Sequence, residues 1–111
     1  MNDCIFCKII AKEIPSKIVY EDEKVIAFND IDPKAPIHIL VVPKEHIESA
    51  AYLENRDDIS GAVFTAVAKI CKGLNLDKGF RIVTNCGEDA RQSVKHLHFH
   101  ILAGKPLSED M

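Results

Sequence analysis

Three of the chain's five histidines fall within five residues, as His96, His98 and His100, separated by Leu97 and Phe99. On an extended segment this alternation sends the imidazoles to one side and Leu97, Phe99 and Ile101 to the other, because successive strand side chains point to opposite faces. An imidazole has an ordinary pKa of about 6.5 and keeps a neutral nitrogen near pH 7, so such a row suits nucleophilic or acid-base chemistry. Two histidines two apart can also share a metal ion. Three cannot, because at about 3.3 Å per residue the first and third Cα atoms lie about 13 Å apart. At least one imidazole needs another role.

The loop before this row carries matching groups. From Ala90 to Lys105 the chain holds Arg91, Lys95 and Lys105 and no acid, although its formal charge is −3. Gln92 and Ser93 add side-chain donors, and irregular backbone near Gly87 can aim N–H groups at an anion, which together read as phosphate recognition. At the other end, Cys4-x-x-Cys7 reads as a metal or redox pair in a reducing compartment, whereas Cys71 and Cys86 read as ordinary core or loop residues. His38 interrupts the apolar run Ile37 to Val42 and requires a buried partner.

The elements that must position these groups follow from periodicity. Ile5, Phe6, Ile9 and Ile10 are spaced as a short helix, which Pro15 ends by Ile14. Lys17 to Tyr20 and Lys24 to Phe28 flank the acidic turn Glu21-Asp22-Glu23 as a hairpin. Ile37 to Val42 is a strand closed by Pro43. Ile59, Val63, Ala66, Val67, Ile70 and Leu74 define an amphipathic helix over Asp57 to Gly73, capped by Asp57 or Asp58. Strands are expected over Phe80 to Thr84 and His96 to Leu102, with Asn85 to Ser93 as the loop between them. Strands without regular helix alternation favour an α+β fold, an antiparallel sheet of about five strands with one long helix and a short N-terminal helix.

The 111 residues, 47% hydrophobic and 28% charged, describe a single domain, residues 1–111. They leave no room for a second core or a membrane span. The net negative charge excludes nonspecific nucleic-acid binding. The first residues lack a secretory signal pattern, so a cytoplasmic location is expected.

His96-Leu97-His98-Phe99-His100-Ile101-Leu102 resembles the His-φ-His-φ-His-φ-φ signature of the histidine triad nucleotide-binding family. The likeness extends through Cys4 to Ile10, Ile14-Pro15-Ser16, Phe28 to Ile31, Ala35 to His38, Val42 to Ile47 and Gln92-Ser93-Val94, in the family's order. The small Hint-type phosphoramidases are the branch it resembles most. The resemblance implies that His98 attacks the α-phosphate of a purine nucleotide derivative, that His100 and Ser93 hold phosphate oxygens, and that His38 supports the triad. It implies Asp30 for the ribose hydroxyls. Phe6, Phe28 and Ile31, with Ile5 and Ile9, fall at the base slot, and Asn85 and Gln92 at hydrogen-bonding positions. It further implies a homodimer and a structural zinc held by Cys4, Cys7, His46 and His96, with no catalytic metal.

The competing readings are a dinucleoside polyphosphate hydrolase or nucleotidyl transferase using the same covalent intermediate, a zinc-stabilised nucleotide-binding module without turnover, and a catalytic metal site on the histidine face. Two departures from the family stand out. Arg91 occupies a position where glycine is frequent, and many Hint-type members carry a longer tail after the equivalent of Gly104 to Leu107, so a more open leaving-group pocket is expected.

Overall fold

The computed structural model describes residues 3–110. In chain order they form α1 (Ile5–Ile10), β1 (Ile18–Glu21), β2 (Val25–Asn29), β3 (Ile37–Pro43), α2 (Asp57–Gly73), β4 (Arg81–Val83) and β5 (Phe99–Ala103), with a single 3-10 turn at Ala50–Tyr52. The five strands make one antiparallel sheet in the order β1-β2-β3-β5-β4. The α+β expectation is therefore met. The long helix spans the residues its periodicity predicts.

Period-two alternation sorts the central strands onto two unequal faces. Val25 and Ala27 of β2, Ile39 and Val41 of β3, and Phe99 and Ile101 of β5 are buried against Ile59, Val63, Ala66, Val67 and Ile70 of α2. Ile26, Phe28, Leu40 and Val42 point the other way and are covered by Phe6 and Ile9 of α1. A six-residue helix cannot cover a whole sheet face. Leu40 pairs with His100 and His38 with Leu102, so His38 and His100 lie on this thinly covered side. The α2 face is structural, and the α1 face carries the polar groups.

Three local details differ from expectation. Arg56, not Asp57 or Asp58, is the N-cap of α2 and makes no side-chain cap bond; both aspartates sit in the first turn, where they complement the helix dipole. Arg56 instead donates to both carboxylate oxygens of Glu45 at 2.8 and 2.7 Å, tying the helix start to the segment that carries His46. Strand β4 is shorter than Phe80 to Thr84. Strand β5 begins at Phe99 rather than His96, because the backbone just before it bonds elsewhere. The Leu97 N–H donates to the Ile47 carbonyl, and the His98 carbonyl accepts from Thr84 Oγ1 at 2.8 Å. Side-chain alternation nevertheless continues through 96–98, since Leu97 joins the α2-side core.

Candidate functional site

Hydrogen bonds fix the tautomer of each ring in the histidine row, to backbone carbonyls at His96 and His98 and to the His38 side chain at His100. His98 is buried, and its Nδ1 lies 2.7 Å from the His96 carbonyl oxygen. A carbonyl only accepts, so Nδ1 carries the proton and Nε2 keeps its lone pair. His38 is read from the opposite end. Its Nδ1 accepts the Lys34 N–H at 2.9 Å, so its proton sits on Nε2, 2.9 Å from His100 Nδ1. His100 must accept there, which places its own proton on Nε2. His98 and His100 thus offer one unprotonated nitrogen, Nε2 of His98, beside one neutral N–H donor, at His100. The two rings stand 5.2 Å apart between centroids.

Burial keeps the second histidine pair uncharged. Loss of hydration, then the neighbouring His98 and His38, holds His100 down to about 4. Burial also lowers His38, partly offset by the Asp30 carboxylate, whose Oδ2 lies 3.4 Å from His38 Nε2. Asp30, His38 and His100 are close enough to surround a cation. The hydrogen bonds oppose that use, because His38 Nε2 holds its proton as long as Lys34 N–H occupies Nδ1. A metal there would have to break that bond or form an imidazolate. This weighs against the catalytic-metal reading.

The second cluster has the opposite character. Cys4, the N-cap of α1, and Cys7, one turn later, face His46 and His96. Cys4 Sγ is 3.3 Å from His96 Nδ1, Cys7 Sγ is 3.5 Å from the same atom, and Cys7 Sγ is 3.2 Å from His46 Nδ1. Bonds of about 2.3 Å to sulfur and 2.0–2.1 Å to nitrogen give sulfur–nitrogen edges of about 3.6 Å in a tetrahedron. The donors therefore lie within a few tenths of an ångström of the spacing a four-coordinate ion needs, and a slight expansion of the cluster would admit it. Orientation also fits. His96 Nε2 donates to the Pro43 carbonyl at 2.9 Å, which turns the lone pair of Nδ1 into the cluster. Burial, then the adjacent Cys4, raises the Cys7 thiol to about 11, so a metal must displace protons to bind.

The remaining sequence candidates take definite places. Phe6 and Phe28 form an edge-on pair with centroids 5.7 Å apart, and Phe6 also meets the His98 ring at 5.0 Å. Ile9 is buried beneath them, whereas Ile5 is partly open and Ile31 is 97% exposed. Asp30 follows β2, with Oδ1 accepting from the Asp32 N–H at 2.8 Å and lone pairs to spare. Asn85 is half-buried, one residue beyond Thr84. Ser93 is exposed and borders a concavity of about 430 Å³ together with Ile5, His46 and Lys95. A larger one, about 720 Å³, is lined by residues 75–79 and 104–106 and contains none of the histidines.

Gln92 does not face outward. Its Oε1 accepts from Gly87 N–H at 3.0 Å, and its Nε2 donates to the Glu48 and Val94 carbonyls at 2.7 and 2.9 Å. Its contribution is to hold the shape of the 87–94 loop. Arg91, just before it, adopts φ +61°, the left-handed backbone that explains why glycine suits this position. Thr84, which anchors the His98 carbonyl, was not expected from sequence. A threonine ending a strand carries no signal of a partner 14 residues away.

A family model described as HIT domain matches residues 11–107, most of the chain. The chain belongs to the HIT family. Among HIT relatives, the 14 kDa zinc-binding protein of Brassica juncea is 46% identical over 109 residues, 96% of this chain and 96% of its own. A HIT family hydrolase from Clostridium thermocellum superposes with a TM-score of 0.94 at 44% identity, covering 100% of this chain and 98% of that one. The histidine triad nucleotide-binding protein from Candida albicans gives 0.82 at 35% identity, over 96% and 85%. No helix among the described residues is long and apolar enough to cross a membrane.

Proposed function

We propose that this HIT protein hydrolyses purine nucleoside 5′-phosphoramidates or related α-phosphate derivatives through a covalent nucleotidyl-His98, releasing the nucleoside monophosphate. The observation that carries the reading is the fixed tautomer of His98. Its Nδ1–H is held at 2.7 Å by the His96 carbonyl, so Nε2 is a neutral nucleophile whose developing positive charge is met by a backbone dipole. In the first step the Nε2–phosphorus bond forms as the bond from phosphorus to the leaving amine breaks, and the amine nitrogen takes a proton from solvent as it leaves. Water then attacks phosphorus, the Nε2–phosphorus bond breaks, and the proton released from water passes to solvent, returning a neutral His98. Neutral His100 donates its Nε2–H to a phosphate oxygen in both steps.

Ser93 is assigned a second phosphate contact and Asp30 the ribose hydroxyls. Phe6, Phe28 and Ile31 are assigned the base, with no polar group named for telling purines apart. Asn85 remains a candidate for the sugar or phosphate side. Cys4, Cys7, His46 and His96 would hold a zinc ion, as the name of the Brassica juncea relative suggests for that protein. A closed four-ligand zinc site supplies structure rather than an activated water. Exposed Phe64 on α2, Leu74 just after that helix and Phe80 beside edge strand β4 support a homodimer joined along that edge. A Cys4-x-x-Cys7 pair used for metal binding suits a reducing, cytoplasmic location.

The test is incubation with adenosine and guanosine phosphoramidates and, in parallel, a dinucleoside polyphosphate, comparing kcat/KM and searching for a nucleotide adduct on His98 by mass. His98→Ala should retain nucleotide binding and lose turnover by several orders of magnitude. A near wild-type rate in that variant would refute the nucleophile. Preference for the polyphosphate would move the leaving group from an amine to a nucleotide, and binding without turnover on any substrate would leave a binding module.

A further inference from the structure

We infer that His96 is a positioning residue through which metal occupancy of the Cys/His cluster sets the orientation of the His98 nucleophile, controlling the covalent step far more than nucleotide binding. This rests on the proposed hydrolytic reading, and it concerns how that chemistry is governed.

His96 is the best-anchored ring of the row, fully buried and bonded in three directions. Its Nδ1 points into the cluster, 3.3 and 3.5 Å from the two sulfurs. Its Nε2–H is held by Pro43. Its carbonyl is the acceptor that fixes His98 Nδ1–H. Ring and carbonyl share one Cα, so freeing the ring frees the peptide that orients the nucleophile. The next residue strengthens the link, since Leu97 N–H donates to Ile47, the neighbour of the ligand candidate His46. Both histidine-bearing segments of the cluster therefore meet the peptide that orients the nucleophile.

A second route runs through α1. Phe6 lies between Cys4 and Cys7, and its ring edges onto both His96, at 5.9 Å, and His98, at 5.0 Å. The two cysteines would fix the six-residue helix on either side of that ring. A helix this short has little stability of its own, so its position depends on tertiary anchors. Asp30, His38 and His100, on the far side of His98, share no bond with the cluster, so ribose and phosphate recognition through them is separable from it, and only the base contact assigned to Phe6 follows α1. Displacement of a reacting atom by about 1 Å costs about 100-fold in rate, so a small relaxation of the 96–98 peptide is enough to be measured.

The experiment compares zinc-loaded and chelator-stripped full-length protein by long-range proton–nitrogen NMR of the imidazoles, with AMP affinity and single-turnover adduct formation measured in parallel. With zinc, His98 should show one tautomer protonated at Nδ1. Without it, the Nδ1 proton should exchange with water faster and adduct formation should slow by about tenfold or more, with AMP affinity changed by less than about threefold and zinc addition restoring both. If stripping abolishes the native amide spectrum, His46→Ala, which removes one exposed ligand, takes its place. An unchanged His98 signal and adduct rate in folded metal-free protein overturns the inference. So does failure to bind zinc, or collapse of the fold in both the stripped protein and His46→Ala, because the cluster then holds the fold and not the nucleophile. A His98 signal that follows zinc in a protein without turnover on any substrate keeps the coupling and refutes the hydrolytic reading.

Discussion

The proton on His100 is assigned through its hydrogen bond with His38, and replacing His38 tests the assignment. His38→Phe keeps a ring of similar size but removes both nitrogens. In the native protein Lys34 N–H donates to His38 Nδ1, and His38 Nε2–H donates to His100 Nδ1, each at 2.9 Å. Without that donor, His100 can protonate either nitrogen and ceases to be a dedicated Nε2–H donor to phosphate. A hydrogen bond to a charged group contributes about 1.5–3 kcal/mol, which at about 1.4 kcal/mol per decade predicts a fall in kcat/KM of roughly 10- to 150-fold. Lys34 N–H also loses its acceptor, costing about 1–3 kcal/mol of stability to the extent that water does not replace it. The assays are kcat/KM on adenosine phosphoramidate, imidazole NMR for the His100 tautomer, and urea denaturation. A folded variant that keeps kcat/KM within about twofold of wild type, or a His100 that stays a pure Nε2–H tautomer, would show that His38 does not assign the proton.

Stability should fall on mild acidification. The unfolded chain protonates His38 and His100 near pH 6.5, while the folded chain resists until about pH 4 at His100, so the stabilisation is complete above 6.5 and is lost between those values. For the half-buried His100 this amounts to about 1–2 kcal/mol between pH 7 and 5, read by urea midpoints and flattened by His100→Asn; a pH-independent midpoint would contradict it. Gln92→Ala should cost about 2–4 kcal/mol, because it strips buried partners from Gly87 N–H and from the Glu48 and Val94 carbonyls, and thermal melting will show whether it does. Arg91→Gly should instead raise stability by about 0.5 kcal/mol through relief of the left-handed backbone, and a lower melting temperature would refute that.

The parts of the fold legible in sequence are those written in side-chain periodicity. The apolar three-and-four spacing from Ile59 to Leu74 reproduces α2, and the alternation around His38 and His100 puts both rings on one face. The cap of α2 is ambiguous in sequence because two aspartates at the start of an apolar pattern look alike, and only the geometry shows that the chain enters through Arg56. Strand β5 reads as starting at His96, before its true start at Phe99, because alternation of side chains persists where the ladder of backbone bonds does not. Gln92 carried a plausible donor, but no local rule indicates that its amide turns inward to three backbone groups. The deepest omission concerns the tautomers. They are set by Lys34 N–H, Pro43 O and His96 O, which are backbone atoms common to any sequence and acquire meaning only when folding brings a ring to them.

The late start of β5 also bears on transplantation. A His-x-His-x-His segment grafted into a regular strand of another sheet would show its imidazoles to solvent in the right order, yet its carbonyls would be consumed by neighbouring strands. His98 would then lose the acceptor that assigns its proton, and either nitrogen would serve equally poorly. The portable unit is the irregular peptide at 96–98 together with its distant supports at Pro43, Ile47 and Thr84, so a designer copying the chemistry must first interrupt the sheet.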